Sequence, residues 1–332
     1  MTNMAHGRLR VWLFLGVLLA AALAAPLFFD RYLISVLILV FYFAYVGQAW
    51  NLMMGFAGQL SLGHALYVGL GAYVAAGLWL HFGIGPWLGV IVAVITAAAF
   101  GAAIGALGWR FGVEGVYFAL LTIAFAEFTR IAFDHFEWVG GSGGLFLPVD
   151  AEHAGEWWNL RGDALLFYYL ALFLAVMAAL LMDRLRRSRL GYQWLAVRED
   201  PEAARALGID VFRARMTAML ISSSMTAVGG VFYAFYYRNL FPAQIFDMSR
   251  SIELILAPIV GGLGTVFGPI VGAFILTPLG ELLILFVNYL GINAPGAKAV
   301  FYGVGLMVII YLRPNGVWPW LASRLGFVEP GK

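Results

Sequence analysis

Apolar runs of about 20 residues, the length of helix that crosses a bilayer, follow one another along nearly the whole chain. Charge, Gly and Pro mark off ten of them, at residues 11–29, 33–53, 61–80, 86–109, 115–134, 164–182, 214–236, 251–272, 273–290 and 297–312. Of 332 residues, 63% are hydrophobic and 11% charged, whereas soluble domains hold about 45–50% and about 25%. Backbone in hydrocarbon must satisfy its own hydrogen bonds, so spanning segments of this kind are helices. The sequence therefore predicts an all-α polytopic membrane protein of about ten transmembrane helices, forming a single transmembrane domain over residues 1–332. The absence of cysteine excludes disulfides, thiolate chemistry and cysteine-based metal sites.

Loop charge sets the expected orientation, because cytoplasmic loops carry the excess of Arg and Lys. Residues 183–215 hold eight arginines (184, 186, 187, 189, 198, 205, 213 and 215) against five acids, and are expected on the cytoplasmic face. Residues 134–163 hold six acids (134, 137, 150, 152, 156 and 163) against Arg161, and are expected on the periplasmic face. Ten spans with both termini cytoplasmic place Arg8, Arg10, Arg110, Arg313 and Arg324 inside. The N-terminal run is longer than the core of a signal peptide and is read as an uncleaved first span.

One run is interrupted in mid-stream. Asn51–Tyr73 carries Gly55, Gly58, Gly63, Gly69 and Gly71 together with Asn51, Gln59, Ser61 and His64. Such a break survives in a membrane only where protein or a water-filled cavity satisfies the freed backbone groups. Ser61, Ala65 and Gly69 recur every four residues, the spacing of a closely packed helix face. A helix starting there would aim unpaired N–H groups and its positive end towards the midplane, where an anionic substrate group could bind. A second glycine-rich break, Gly261-Gly262-Leu263-Gly264-Thr265-Val266-Phe267-Gly268-Pro269, follows Pro258. Paired interruptions in two halves of a transporter point to the translocation path.

Outside the breaks, Asp200 suits a helix N-cap, Pro201 the first turn, Glu202 the positive helix end and Gly208 a left-handed stop. A short surface helix is expected there, inside the loop 183–213. Glu127, Arg130 and Asp134 share one face of the fifth run, with Glu127 and Arg130 read as a pair that braces the bundle. Glu253 and Glu281 show no obvious local partner. The outer loop 135–163, with Gly140–Gly144, Trp157 and Trp158, is long enough for a docking surface or lid. Trp318 and Trp320 read as interfacial anchors. Gly291–Lys298 resembles a phosphate-binding loop but lacks the Lys-Ser/Thr pair that such a loop needs.

These stretches together resemble the permease subunits of branched-chain amino acid ABC importers. The resemblance rests on Gly55-Phe-Ala-Gly58-Gln59-Leu-Ser61-Leu-Gly63-His64-Ala65 with Gly69–Tyr73, Gly115–Thr122 through Glu127, and Gly140–Leu145. It extends to the Ser188–Asp210 loop with its E-A-A-x-x-x-G, and to Gly261–Thr265 through Gly268-Pro269. Glu114-Gly115-Val116-Tyr117 and the N-terminal run make the chain more similar to LivM-like than to LivH-like subunits. The resemblance implies a type II importer permease in a bacterial inner membrane. Its expected partners are a LivH-like second permease, two cytoplasmic ATP-binding subunits and a periplasmic substrate-binding protein. Gln59, Ser61, His64, Thr122, Glu127, Gly261, Gly262 and Gly264 would line or shape the path. Pro201, Glu202, Ala203, Ala204 and Gly208 would couple to the ATPases. Cargo would be branched-chain or other hydrophobic amino acids, with urea, short amides or aromatic acids as alternatives within the same machine. No cofactor is implied, and ATP hydrolysis would belong to separate subunits. The competing class is an ion-coupled secondary transporter using Glu127, Glu253 or Glu281. An intramembrane enzyme lacks a nucleophile, base and orienting group.

Overall fold

A computed structural model describes residues 16–148, 159–290 and 296–324. The expectations on Arg8, Arg10, Asp150, Glu152, Glu156, Trp157, Trp158 and residues 291–295 fall outside those ranges. In chain order the helices are α1 (Gly16–Leu27), α2 (Arg31–Asn51), which continues into a wide π turn at Leu52–Phe56, and α3 (Ala65–Phe82). Then come α4 (Pro86–Arg110), α5 (Val116–Asp134), α6 (Ala164–Arg186), α7 (Arg189–Glu199) and α8 (Pro201–Ala206). The remainder are α9 (Val211–Tyr237), α10 (Pro242–Ile245), α11 (Met248–Gly261), α12 (Gly268–Tyr289), α13 (Ala297–Leu312) and α14 (Val317–Arg324).

Local chemistry sets the starts of these helices. Asp30, Asp210 and Asp247 accept the backbone N–H groups of Leu33, Arg213 and Ser249 at 2.9–3.0 Å, capping α2, α9 and α11. Two short strands, β1 (Leu145–Phe146) and β2 (Asn239–Leu240), pair antiparallel with Leu145 opposite Leu240. This pairing fastens the segment after α5 to the end of α9. His81 at the end of α3 reaches the Trp138 carbonyl at 2.7 Å, so α3, α5 and α9 all finish at one end of the bundle. The opposite end carries the arginine-rich loop. There Trp194 on α7 donates to the Ala214 carbonyl on α9 at 2.9 Å, and Arg215 on α9 pairs with Glu114 just before α5.

Among the described residues, seven helices are long and apolar enough to span a bilayer, or eight if α13 and α14, bent by 47°, are taken as one span. The all-α polytopic architecture is as expected, and the count of ten is not confirmed. Run 251–272 is not one span: its helix stops at Gly261 after 14 residues. At 1.5 Å per residue that is about 21 Å, short of the roughly 30 Å hydrocarbon core. The chain turns through residues 262–267, and α12 starts at Gly268 rather than at the expected residue 273. The first run yields only the short helix α1 among the described residues. Hydropathy alone misplaced this boundary because the glycine-rich turn is nearly as apolar as the helices around it.

At the centre lie α2 and α9, each with 78% of its most apolar window buried, whereas α4, α5 and α12 bury only 28% and present their apolar sides outward. Helix α9 packs on α3 and α4, and α2 on α6 and α12. The contact between α3 and α9 is backbone against backbone. A Cβ added at Gly71 would lie 2.2 Å from the Ala227 carbonyl oxygen, and one at Gly230 would lie 2.1 Å from that of Val68. Without water to drive association, such close approach supplies the packing that holds membrane helices together.

Gly230→Ala is expected to destabilise the protein by about 1–3 kcal/mol through overpacking, lowering its melting temperature in detergent. Gly303→Ala, on α13 with no neighbour within 4 Å of the added Cβ, should show no loss. Equal melting of the two variants would contradict the close α3–α9 contact.

Candidate functional site

The two glycine-rich breaks meet each other. At the end of α2, Asn51 accepts the Gly264 N–H through Oδ1 at 2.9 Å and donates from Nδ2 to the Thr265 carbonyl at 2.9 Å. One turn earlier, Gln48 donates to the Val266 carbonyl. Both side chains are fully buried. In this way the amides of α2 give the second break the backbone partners that a helix would have supplied. Thr265 completes the turn, donating to the Gly262 carbonyl at 2.8 Å and accepting the first N–H of α12, that of Gly268, at 3.0 Å.

Glycine is needed at the crossing itself. A Cβ at Gly55 would stand 2.1 Å from Asn51 Oδ1 and 2.5 Å from the Gly264 nitrogen. Gly264 has φ +70°, in the left-handed region. Carbonyls at the end of α2 would otherwise be orphaned. Those of Leu52, Met53 and Met54 accept the N–H groups of Ala57, Gln59 and Gly58 at 2.9–3.2 Å. The carbonyl of Gly55 accepts from Arg198 of α7, whose positive charge also suits the negative end of α2.

Between the π turn and α3 the chain is pinned on every side. Trp50 donates to the Ser61 carbonyl at 2.7 Å, and the Leu62 N–H donates to Thr122 Oγ1 on α5 at 3.1 Å. Gln59 accepts from Trp109 Nε1 at 3.2 Å. His64 lies between Ser61 Oγ, 3.0 Å from Nδ1, and Ser222 Oγ, 2.9 Å from Nε2. Ser222 gives its own proton to the Ala49 carbonyl at 2.6 Å. The network therefore places the His64 proton on Nε2 and leaves Nδ1 to accept from Ser61. The first N–H of α3, that of Ala65, donates to Ser251 Oγ on α11 at 3.0 Å. This corrects the expectation of a free helix N-terminus aimed at an anionic ligand, because Ser251 already occupies that donor.

Other expectations also shift. Gln59, Ser61, His64 and Thr122 are brought together and buried, and they bond to protein groups. Gly261, Gly262 and Gly264 form the facing break. Glu127 stands apart, half exposed, in an ion pair of 2.6 Å with Arg130, which also binds Asp134 at 2.7 Å. All three lie on α5, so these ion pairs form a stripe along one helix rather than a brace between helices. Glu253 does have a local partner, Arg250 three residues before it, at 2.9 Å. Trp318 is buried against Phe267 of the second break, with ring centroids 4.9 Å apart, whereas Trp320 is more open and faces Arg313 and Arg324. At the arginine-rich end, Asp200 Oδ1 accepts the N–H groups of Glu202 and Ala203 at 2.9 and 3.1 Å, Pro201 opens α8, and Gly208 follows it at φ +83°.

Sequence reasoning missed Gln48, Arg198, Ser222 and Ser251. Gln48 and Asn51, one helical turn apart in an apolar run, carried a readable signal. Arg198 carried none, since it is one of eight arginines in a loop read as solvated. Removing the Asn51 amide leaves two backbone groups unpaired, at about 1–3 kcal/mol each. Asn51→Leu is accordingly expected to lower the melting temperature and to expose residues 261–268 to protease. Wild-type protection in that variant would contradict the junction.

The chain matches the family described as the branched-chain amino acid transport system permease component over residues 32–311. It is 30% identical over 335 aligned residues to the high-affinity branched-chain amino acid transport system permease protein LivM of Escherichia coli (strain K12), covering 94% of this chain and 76% of the relative. LivM of Salmonella typhimurium (strain LT2) gives the same identity and coverage. A shorter likeness, 34% over 107 residues and 31% of each chain, links it to the autoinducer 2 import system permease protein LsrC of Klebsiella pneumoniae. No solved structure matches the chain. With its spanning helices and its paired breaks inside the matched region, this chain belongs to the branched-chain amino acid transport permease family.

Proposed function

We propose that the chain is one permease subunit of an ATP-driven importer for branched-chain or other hydrophobic amino acids, and forms half of the translocation path. The observation that carries this reading is the family match across residues 32–311, which contains both breaks and the α8 loop. A LivH-like permease would complete the path, two cytoplasmic ATPases would power it, and a periplasmic binding protein would deliver cargo. The arginine-rich end would face the cytoplasm and the acidic end the periplasm, in a bacterial inner membrane with both termini inside.

Helix α8 suits docking to an ATPase. It is short and capped, and it stands at the surface with Ala204 buried beneath it. Glu202 is exposed in a 2.6 Å pair with Arg205, and Leu207 is 80% exposed just before Gly208. Pro201, Glu202, Ala203, Ala204 and Gly208 would form this contact. Gln59, Ser61, His64, Thr122, Glu127 and Gly261, Gly262 and Gly264 would act on the path. For the buried polar members that role is to hold the broken helices in shape rather than to bind cargo directly. The partial likeness to LsrC, whose name specifies a different cargo, supports a shared permease scaffold with cargo choice set largely by the binding protein.

Mild-detergent purification from the native membrane is expected to recover a second permease and two ATPases with this chain, with ATP hydrolysis in the eluate. A lone chain that takes up cargo on a proton gradient without ATP would instead favour the ion-coupled reading. Gly208→Pro is expected to insert normally and to reduce uptake at least about fivefold, the lower range of coupling between distant sites. Full uptake in that variant would contradict the docking role of α8.

A further inference from the structure

Arg198 occupies a position that neither the breaks nor α8 explains alone. It is the penultimate residue of α7, two residues before Asp200, the N-cap of α8. Its Nη1 donates to the Gly55 carbonyl in the first break. A Cβ at Gly264 in the second break would stand 2.8 Å from that same Nη1, and one at Gly58 would stand 2.9 Å from Arg198 Cγ and 3.2 Å from its Cα. One side chain thus lies on three glycines drawn from both breaks. Its Nη2 is 3.4 Å from the carboxylate of Glu199, which is exposed.

Helix α7 is firmly seated. Trp194 and Val197 are both 1% exposed, and the Trp194 indole donates to the Ala214 carbonyl at 2.9 Å and to Thr217 Oγ1 at 3.2 Å. Other arginines of the loop bind carboxylates close by in sequence: Arg187 with Asp183, Arg205 with Glu202 and Arg213 with Asp210. Arg198 instead reaches across to a backbone carbonyl on a central helix. No side chain of the glycines cushions the contact, so a displacement of the α7–α8 corner passes directly to backbone on both breaks. The Arg198 side chain is also 38% exposed. Truncating it therefore leaves no buried charge unpaired at this corner.

We propose that Arg198 is a positioning residue that transmits movement of α8 to the junction of the two broken helices. The proposal rests on the importer reading, in which an ATPase moves α8. It names the residue that would link such an element to the membrane-embedded breaks.

The test uses the complete complex in proteoliposomes, reading leucine uptake and ATP hydrolysis together. Arg198→Ala is expected to assemble and to hydrolyse ATP like wild type, with uptake per ATP reduced at least about fivefold. Arg198→Lys, which keeps a charged donor, should recover part of that loss. A covalent replacement is also available, because the chain has no cysteine. In a Gly58→Cys, Arg198→Cys variant the Cβ atoms start 3.2 Å apart, near the roughly 3.5–4.5 Å of a disulfide. Oxidation should restore uptake per ATP that reduction removes.

An unchanged uptake-to-ATP ratio in Arg198→Ala overturns the proposal. So does failure of both Arg198→Ala and Arg198→Lys to assemble, which makes Arg198 a folding residue only. A wild-type complex without ATP-driven uptake contradicts the importer reading itself, whereas normal wild-type transport with a coupled Arg198→Ala variant contradicts the transmitting role alone.

Discussion

Backbone that leaves the helix inside a membrane must find polar partners in protein, and the whole centre of this molecule follows from that requirement. Two stretches, residues 57–64 and 262–267, depart from helical hydrogen bonding between apolar helices. Neither stretch satisfies itself. The amides of Gln48 and Asn51 serve the second, Thr122 and Trp50 serve the first, and the Arg198 guanidinium serves the Gly55 carbonyl in the π turn before it. Each unserved group in hydrocarbon would cost several kcal/mol, so the two breaks are stable only against each other and their immediate neighbours.

This dependence explains the packing around them. Helix α9 has to approach α3 at backbone distance, which Gly71 and Gly230 allow, for Ser222 to reach both His64 and the Ala49 carbonyl. Helix α11 has to stop at Gly261 so that residues 262–267 can lie across the end of α2, and its Ser251 then caps the start of α3. The result is a densely packed, cross-bonded centre with outward-facing α4, α5 and α12 around it. A centre of this kind moves as a unit or rearranges between discrete packings, and it does not deform gradually. For a transport permease that property favours rigid-body movement over local flexing.

Much of this was legible in the sequence, and the limits have physical causes. Composition and run length gave the class of protein, and the glycines with polar neighbours located both breaks. The caps around α8 were readable residue by residue, because Asp200, Pro201 and Gly208 each act locally. What escaped was everything that depends on which distant segments touch. Nothing in Gly55 or Gly264 announces that they cross each other, and Arg198 looks like its neighbours until its reach is known. Trp318 has the composition of an interfacial anchor but is buried behind the second break. The helix boundary at Gly261, marked by the glycines, was hidden from hydropathy because Leu263, Val266 and Phe267 keep the turn apolar. His64 invited a ligand-binding reading, yet its two nitrogens are taken up by Ser61 and Ser222.

The central claim is that side chains from other segments take up backbone groups of the junction that a continuous helix would have paired. Hydrogen–deuterium exchange of the intact protein, resolved to the peptides over residues 57–68 and 261–268, tests it most directly. Gly264, Leu62, Ala65 and Gly268 each donate to a side-chain oxygen. The account predicts that these amides exchange as slowly as those of α2 and α9. Rapid exchange across both stretches, with α2 and α9 still protected, would contradict it.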